Sequence, residues 1–269
     1  MLEKFRSAAL NTRIITAVIL ATVLITAWAL GGWYVKALLG AIILLGLGEF
    51  LCMFQRHGAW GMKLTGLVLG AVYFCISVAF PDYPSHLIIT LCFMVCAVYA
   101  LVYWSKTQHI DSMRNAVIIL AGLLYIPVLM TPLALVSRWE QLLIVAVPAA
   151  SDISAYFSGV LFGKHKIWPS VSPKKSVEGA AAGLAAAMLV SLLIGMASPN
   201  TSALSFIVLG LVMGIMAQLG DFFESALKRA ANIKDSSHLL PGHGGILDRL
   251  DSISFCSGVY AVLSVFIIF

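Results

Sequence analysis

Long apolar runs separated by short polar connections pattern this chain from end to end. The runs fall at residues 14–33, 37–54, 59–80, 86–104, 115–135, 141–163, 179–197, 203–227 and 245–269. Each is long enough to cross about 30 Å of hydrocarbon as a helix. Glu49 and Lys63 lie in or beside the second and third runs and make them the least uniform. The first run looks like a secretory signal, but it is about 20 residues long and lacks a clear A-x-A cleavage site, so it reads as a retained span. The pattern predicts an all-α, polytopic integral membrane protein of about nine transmembrane helices, organised as one integral membrane domain over residues 1–269.

Composition sharpens this reading. Of the 269 residues, 61% are hydrophobic and 11% charged, and mean hydropathy is +0.98, whereas about a quarter of a soluble domain is charged. The net charge of +5 has no soluble basic domain to carry it, so nucleic acid is not an expected partner. The cysteines Cys52, Cys75, Cys92, Cys96 and Cys256 lie inside apolar runs without a C-x-x-C pair and read as small buried hydrophobes. Charge placement says more. Alternate connections, counted from the N-terminus, carry fifteen of the 17 Lys and Arg residues, and the opposite ones carry only Lys36 and Arg138. Such a bias predicts a cytoplasmic N-terminus and a working surface on the cytoplasmic face, as in a bacterial inner membrane.

The halves differ. Residues 1–139 hold few intramembrane acids, whereas residues 140–269 concentrate them. A carboxylate inside a span costs a few kcal/mol and calls for a reason. Asp152 lies near the middle of the sixth run, with Tyr156 and Gly159 following on its face, and reads equally as a functional acid or as one bonded to a neighbouring helix. Asp221 and Glu224 share a face of the eighth run at i, i+3, and Lys228 extends it; for Glu224 an intrahelical pair with Lys228 is the favoured reading. Asp248 and Asp251 open the ninth run, where a helix start tolerates acids by itself. Carboxylates offered by two helices are also how Mg²⁺ is held, through one or two acids, waters and substrate phosphates.

Two polar connections complete the set. The first, KHKIWPSVSPKKSVE at 164–178, supplies Lys174 and Lys175. The second, SALKRAANIKDSSHLLPGHGGILDRLDS at 225–252, supplies Lys228, Arg229, Lys234 and Arg249. Positive-inside bias or attraction to anionic lipid would account for bases alone. Here they alternate with Ser-Pro and with the turn Gly242, His243, Gly244, Gly245 leading into a helix, which fits a phosphate cradle. His243 suits a hydrogen-bond donor, and His238 is assigned no role. These residues describe a metal-assisted site for a phosphorylated substrate at a membrane boundary, one substrate being a lipid.

The run SALKR-x4-KD-x-S-x2-LP-x-HGGI-x-DRLD over 225–251 resembles the signature of phosphatidate cytidylyltransferases. D-x3-Y-x2-G-x2-FGK from Asp152 and SPKKS-x-EG from Ser172 resemble that family's other cytoplasmic-face elements. One departure is Ser237, where members often carry Gly. The resemblance implies transfer of a cytidylyl group from CTP to phosphatidate, giving CDP-diacylglycerol and pyrophosphate, with Mg²⁺ as cofactor. It implies Asp221 and Asp248, with Asp251 behind them, as metal ligands. Lys228, Arg229, Lys234 and Arg249 would bind phosphates, the Gly242–Gly245 turn the nucleotide triphosphate, and Ser172, Lys174 and Lys175 CTP or the lipid headgroup, with Asp152 in support. A CTP-dependent enzyme for ether or polyprenol lipids, and an ion transporter, stay open as alternatives. No D-G-x2-A-R…D-x3-D array is present, which argues against a CDP-alcohol phosphotransferase. Tail preference and oligomeric state, a homodimer included, are not set by the sequence.

Overall fold

The computed structural model describes residues 2–55, 60–197 and 202–265, with side chains from Thr12 onward. Its helices are α1 Leu2–Leu30, α2 Gly32–Phe54, α3 Trp60–Ala79, α4 Ser85–Thr107, α5 Asp111–Leu123, α6 Arg138–Phe162, α7 Val177–Gly195, α8 Ala203–Ala230 and α9 Leu247–Leu263. Among the described residues there is no strand beyond two isolated bridge pairs. Among the described residues, eight helical stretches are long and apolar enough to cross a membrane. The protein is an all-α integral membrane protein. The expected ninth span corresponds to α9, whose described helix has 17 residues and begins with the polar sequence LDRLDSIS. The end of that run, 266–269, lies outside the described residues, as do Arg56 and the side chains of Lys4 and Arg6 from the charge count.

Contacts group the chain into two units. One combines Met1–Leu135 with Asp235–Asp248, the other Val136–Lys234 with Arg249–Phe269. The first unit is built on large side chains seated over glycine. A Cβ on Gly66 would lie 2.6 Å from Leu51 Cδ1, one on Gly70 2.5 Å from Leu47 Cδ2, and one on Gly40 2.7 Å from Phe74. As the α2 numbers fall the α3 numbers rise, so the two helices run antiparallel with Leu47 and Leu51 filling two notches one turn apart. After α5 the helix widens into a π turn at Leu124–Val128 around Pro127 and tightens into a 3₁₀ turn at Thr131–Ala134. Pro127 has no N–H to give, and Thr131 Oγ1 donates to its carbonyl at 2.6 Å.

The second unit is built on small residues. α7 turns Gly179, Gly183, Ala187, Ser191 and Gly195 inward, one every four positions. That spacing makes a single stripe along one face, over which neighbouring backbones approach closely. A Cβ on Gly183 would meet Ser151 O of α6 at 2.9 Å, and one on Gly210 of α8 would meet Ala187 O at 2.7 Å. α6 starts three residues before the expected run because Ser137 and Glu140 form a reciprocal capping box there. Tyr260 OH donates to the same Glu140 at 2.6 Å.

Two cysteine expectations need correction. Cys52 and Cys75 are exposed, while Cys92, Cys96 and Cys256 are buried. A thiol behaves as a small hydrophobe, so the outer face of an apolar helix holds it at little cost.

Candidate active site

In the second unit the site is carried by three helices and a strapped loop. α6 brings Asp152, α8 brings Asp221 and α9 brings Asp251, and these carboxylates lie within electrostatic reach of one another. Lys175 forms an ion pair with Asp221 and also acts on Asp152. Its ammonium sits 4.2 Å from the ring centre of Phe222, a cation–π contact that adds to its placement. One turn below, Lys228 pairs with the buried Glu224, the intrahelical arrangement the spacing favours.

The loop before α7 reaches this cluster because its base is tied down. Glu178 accepts the N–H groups of Lys164 at 3.0 Å and His165 at 3.2 Å, and pairs with His165 Nδ1 at 2.6 Å. Ser176 caps α7 by accepting from Gly179 N. Across the loop, Lys166 Nζ donates to Lys174 O at 3.2 Å. Trp168 packs edge-on against Phe222, ring centres 4.9 Å apart. Ser172 is half-buried. The paired lysines thus separate: Lys175 turns in to Asp221, and Lys174 stays exposed. α8 ends in a left-handed residue, Asn232 at φ 57°, with Ile233 N donating back to Lys228 O at 2.9 Å, a helix end that leaves Arg229 exposed. Lys234 and Arg249 are exposed as well.

In the first unit the segment 235–248 forms a closed turn. Gly242 and Gly244 take positive φ, 77° and 81°, conformations only glycine adopts freely. Leu240 N donates to Gly244 O, and His243 N to Leu240 O, both at 2.9 Å. Asp248 accepts Ser236 N at 3.1 Å and Gly245 N at 2.8 Å. The partner that sequence reading missed is Glu49 of α2. It is buried, and accepts from Ser237 Oγ at 2.6 Å, Ser236 Oγ at 3.1 Å, Ile246 N at 3.0 Å and Leu247 N at 2.7 Å. The N–H groups of Gly245, Ile246 and Leu247 are therefore engaged by the protein's own carboxylates. Of the turn expected to cradle phosphate, Gly245 thus has its N–H taken up by Asp248. The signal for Glu49 was its presence in an apolar run, which demands partners.

The donor set can be tested against Mg²⁺. Among the described residues no group of three or more His, Cys, Asp or Glu side chains closes into a metal cage. Mg²⁺ rarely uses one; it takes one or two carboxylates and completes its shell with water and phosphate. Like-charged Asp152, Asp221 and Asp251, balanced by Lys175 and Lys228, suit such a partial site.

The cytidylyltransferase family model matches residues 11–267. The chain belongs to this family. Among its relatives is the uncharacterized protein YnbB of Escherichia coli strain K12, 30% identical over 239 residues, 85% of this chain and 78% of that protein. A phosphatidate cytidylyltransferase of Bacillus subtilis strain 168 is 42% identical over 119 residues, 44% of each chain. One from Staphylococcus saprophyticus is 42% identical over 106 residues, 39% of this chain and 41% of that protein. The match thus spans less than half the length of these two named enzymes.

Proposed function

We propose that this cytidylyltransferase-family protein transfers the cytidylyl group of CTP to phosphatidate, giving CDP-diacylglycerol and pyrophosphate. A phosphate oxygen of the lipid bonds to the α-phosphorus of CTP as the bond to the bridging oxygen of the leaving pyrophosphate breaks. The attacking phosphate is already ionised near neutral pH, so no general base is required. Positioning two anions and offsetting their charge is the protein's task. The observation that carries this reading is the grouping of Asp152, Asp221 and Asp251, with Lys175 acting on the first two and Lys228 on the third, in a chain of this family. Asp221 and Asp251 would hold Mg²⁺, which would neutralise charge on the phosphates, and Asp248, by resemblance to the family signature, would contribute to the transfer from the start of α9. The exposed Lys174, Arg229, Lys234 and Arg249 would draw in and orient phosphate groups, Lys228 and Ser172 would add to them, and His243 of the signature turn would donate a hydrogen bond to a phosphate. The Lys/Arg bias supports a site opening on the cytoplasmic face of the bacterial inner membrane.

Purified protein in detergent with CTP, phosphatidate and Mg²⁺ tests this by release of pyrophosphate. Asp221→Asn should abolish turnover in a folded protein. Absence of pyrophosphate over a range of lipids and divalent metals would refute the transfer.

A further inference from the structure

We propose that Glu49 is a positioning residue for Asp248, capping α9 from α2 and holding residues 236–247 as one rigid piece behind that carboxylate. The inference deepens the proposed transfer and rests on it.

Its ground is how one carboxylate in an apolar helix is used. Glu49 lies about a turn and a half from the end of α2 and is buried. Four donors converge on it: two hydroxyls, from Ser236 and Ser237, and two backbone N–H groups, from Ile246 and Leu247. The N–H groups belong to the first turn of α9 and the residue before it, where a helix leaves its donors unmet and favours a negative charge. A capping carboxylate ordinarily sits beside its helix in sequence. Here it comes from a residue 198 positions away.

The fit is close enough to dictate a neighbouring residue. A Cβ on Gly245 would fall 1.9 Å from Ser236 Oγ and 2.6 Å from Glu49 Oε2. Asp248 clamps the same piece from the other side through Ser236 N and Gly245 N. Two carboxylates thus take up the N–H groups of Ser236, Gly245, Ile246 and Leu247. Asp248 is aimed by a segment that Glu49 keeps from moving. Hydrogen bonds to a charged acceptor are among the stronger ones, and each lost here leaves a buried or half-buried donor unmet.

The experiment compares wild type, Glu49→Gln and Glu49→Ala in detergent by amide hydrogen exchange and by pyrophosphate release. Gln keeps the shape of Glu49 but turns an NH₂ group towards donors. The expected result for Gln is exchange at Ile246 and Leu247 at least about tenfold faster, unchanged exchange across α6–α8, and a fall in kcat of tenfold or more. Ser237→Ala, which removes one of the four bonds, should give an intermediate effect on both readouts. Wild-type exchange at Ile246 and Leu247 in both Glu49 variants would overturn the inference, and so would faster exchange with undiminished kcat. If wild type itself releases no pyrophosphate, the transfer reading fails, while the exchange data still decide whether Glu49 holds the segment.

Discussion

Replacing Gly210 by Ala tests whether close approach of α7 and α8 is what holds the second unit together. The added Cβ would meet Ala187 O at 2.7 Å, Ser191 Cβ at 2.7 Å and Met188 Cα at 2.8 Å. Two of the three are backbone atoms, and all fall 0.6–0.7 Å short of the 3.4 Å at which ordinary contact begins. No rotamer change relieves a clash with backbone, so the helices must part. Overpacking of this kind costs about 1–3 kcal/mol, and contacts with rigid atoms put it near the upper end. Ala gains back about 1 kcal/mol over Gly in a helix interior. The net is a destabilisation of about 1–2 kcal/mol, or roughly 2–8 °C in Tm. Gly48 of α2 is the control: its Cβ would find Leu67 Cδ2 at 3.8 Å and Lys63 Cε at 4.0 Å. With no clash, only the propensity gain remains, and Gly48→Ala should melt at or above wild type. Thermal unfolding in one detergent, followed by helical circular dichroism, gives both values. A Gly210→Ala protein as stable as wild type would refute the close-packing argument, as would a Gly48→Ala protein that loses as much as Gly210→Ala.

Ser137→Ala should lower stability by about 0.5–2 kcal/mol through loss of the α6 cap, with pyrophosphate release per folded molecule unchanged; a shift in Tm too small to measure would count against the capping box. Cysteines placed at Lys174 and His238, both exposed, should react with a membrane-impermeant thiol reagent from the cytoplasmic side, and labelling only from the opposite side would overturn the orientation drawn from the Lys/Arg bias.

The long helices were legible because about 20 apolar residues have few other uses. Glu224 and Lys228 were legible too, since helical spacing alone brings them together. The start of α6 was not, because its first turn is polar and its signal is a capping pair, Ser137 and Glu140, rather than hydropathy. The stripe on α7 hid for a related reason: Gly, Ala and Ser register as weakly apolar wherever they stand, and their meaning comes from the backbones they admit. In the sequence Glu49 shows only as a break in the uniformity of its apolar run. Its donors lie 187–198 positions later in the chain, and no local pattern joins them. Around the signature turn the two kinds of pairing meet: Asp248, three residues on, takes the N–H of Gly245, a local bond, whereas Glu49, which takes those of Ile246 and Leu247, is distant.

The contact between Glu49 and residues 236–247 also sets a schedule for biosynthesis. At about 5–20 residues per second, a ribosome takes roughly 10–40 s to pass from Glu49 to the last of its donors. During that interval α2 must enter the bilayer carrying a carboxylate whose hydroxyl and N–H partners have not yet been made. The surrounding apolar residues of α2, GAIILLGLG among them, have to carry its insertion unaided. A nascent chain halted before residue 236 would therefore keep an acid in its second helix with none of these four groups to receive it, a mark by which membrane quality control could tell the unfinished protein from the finished one.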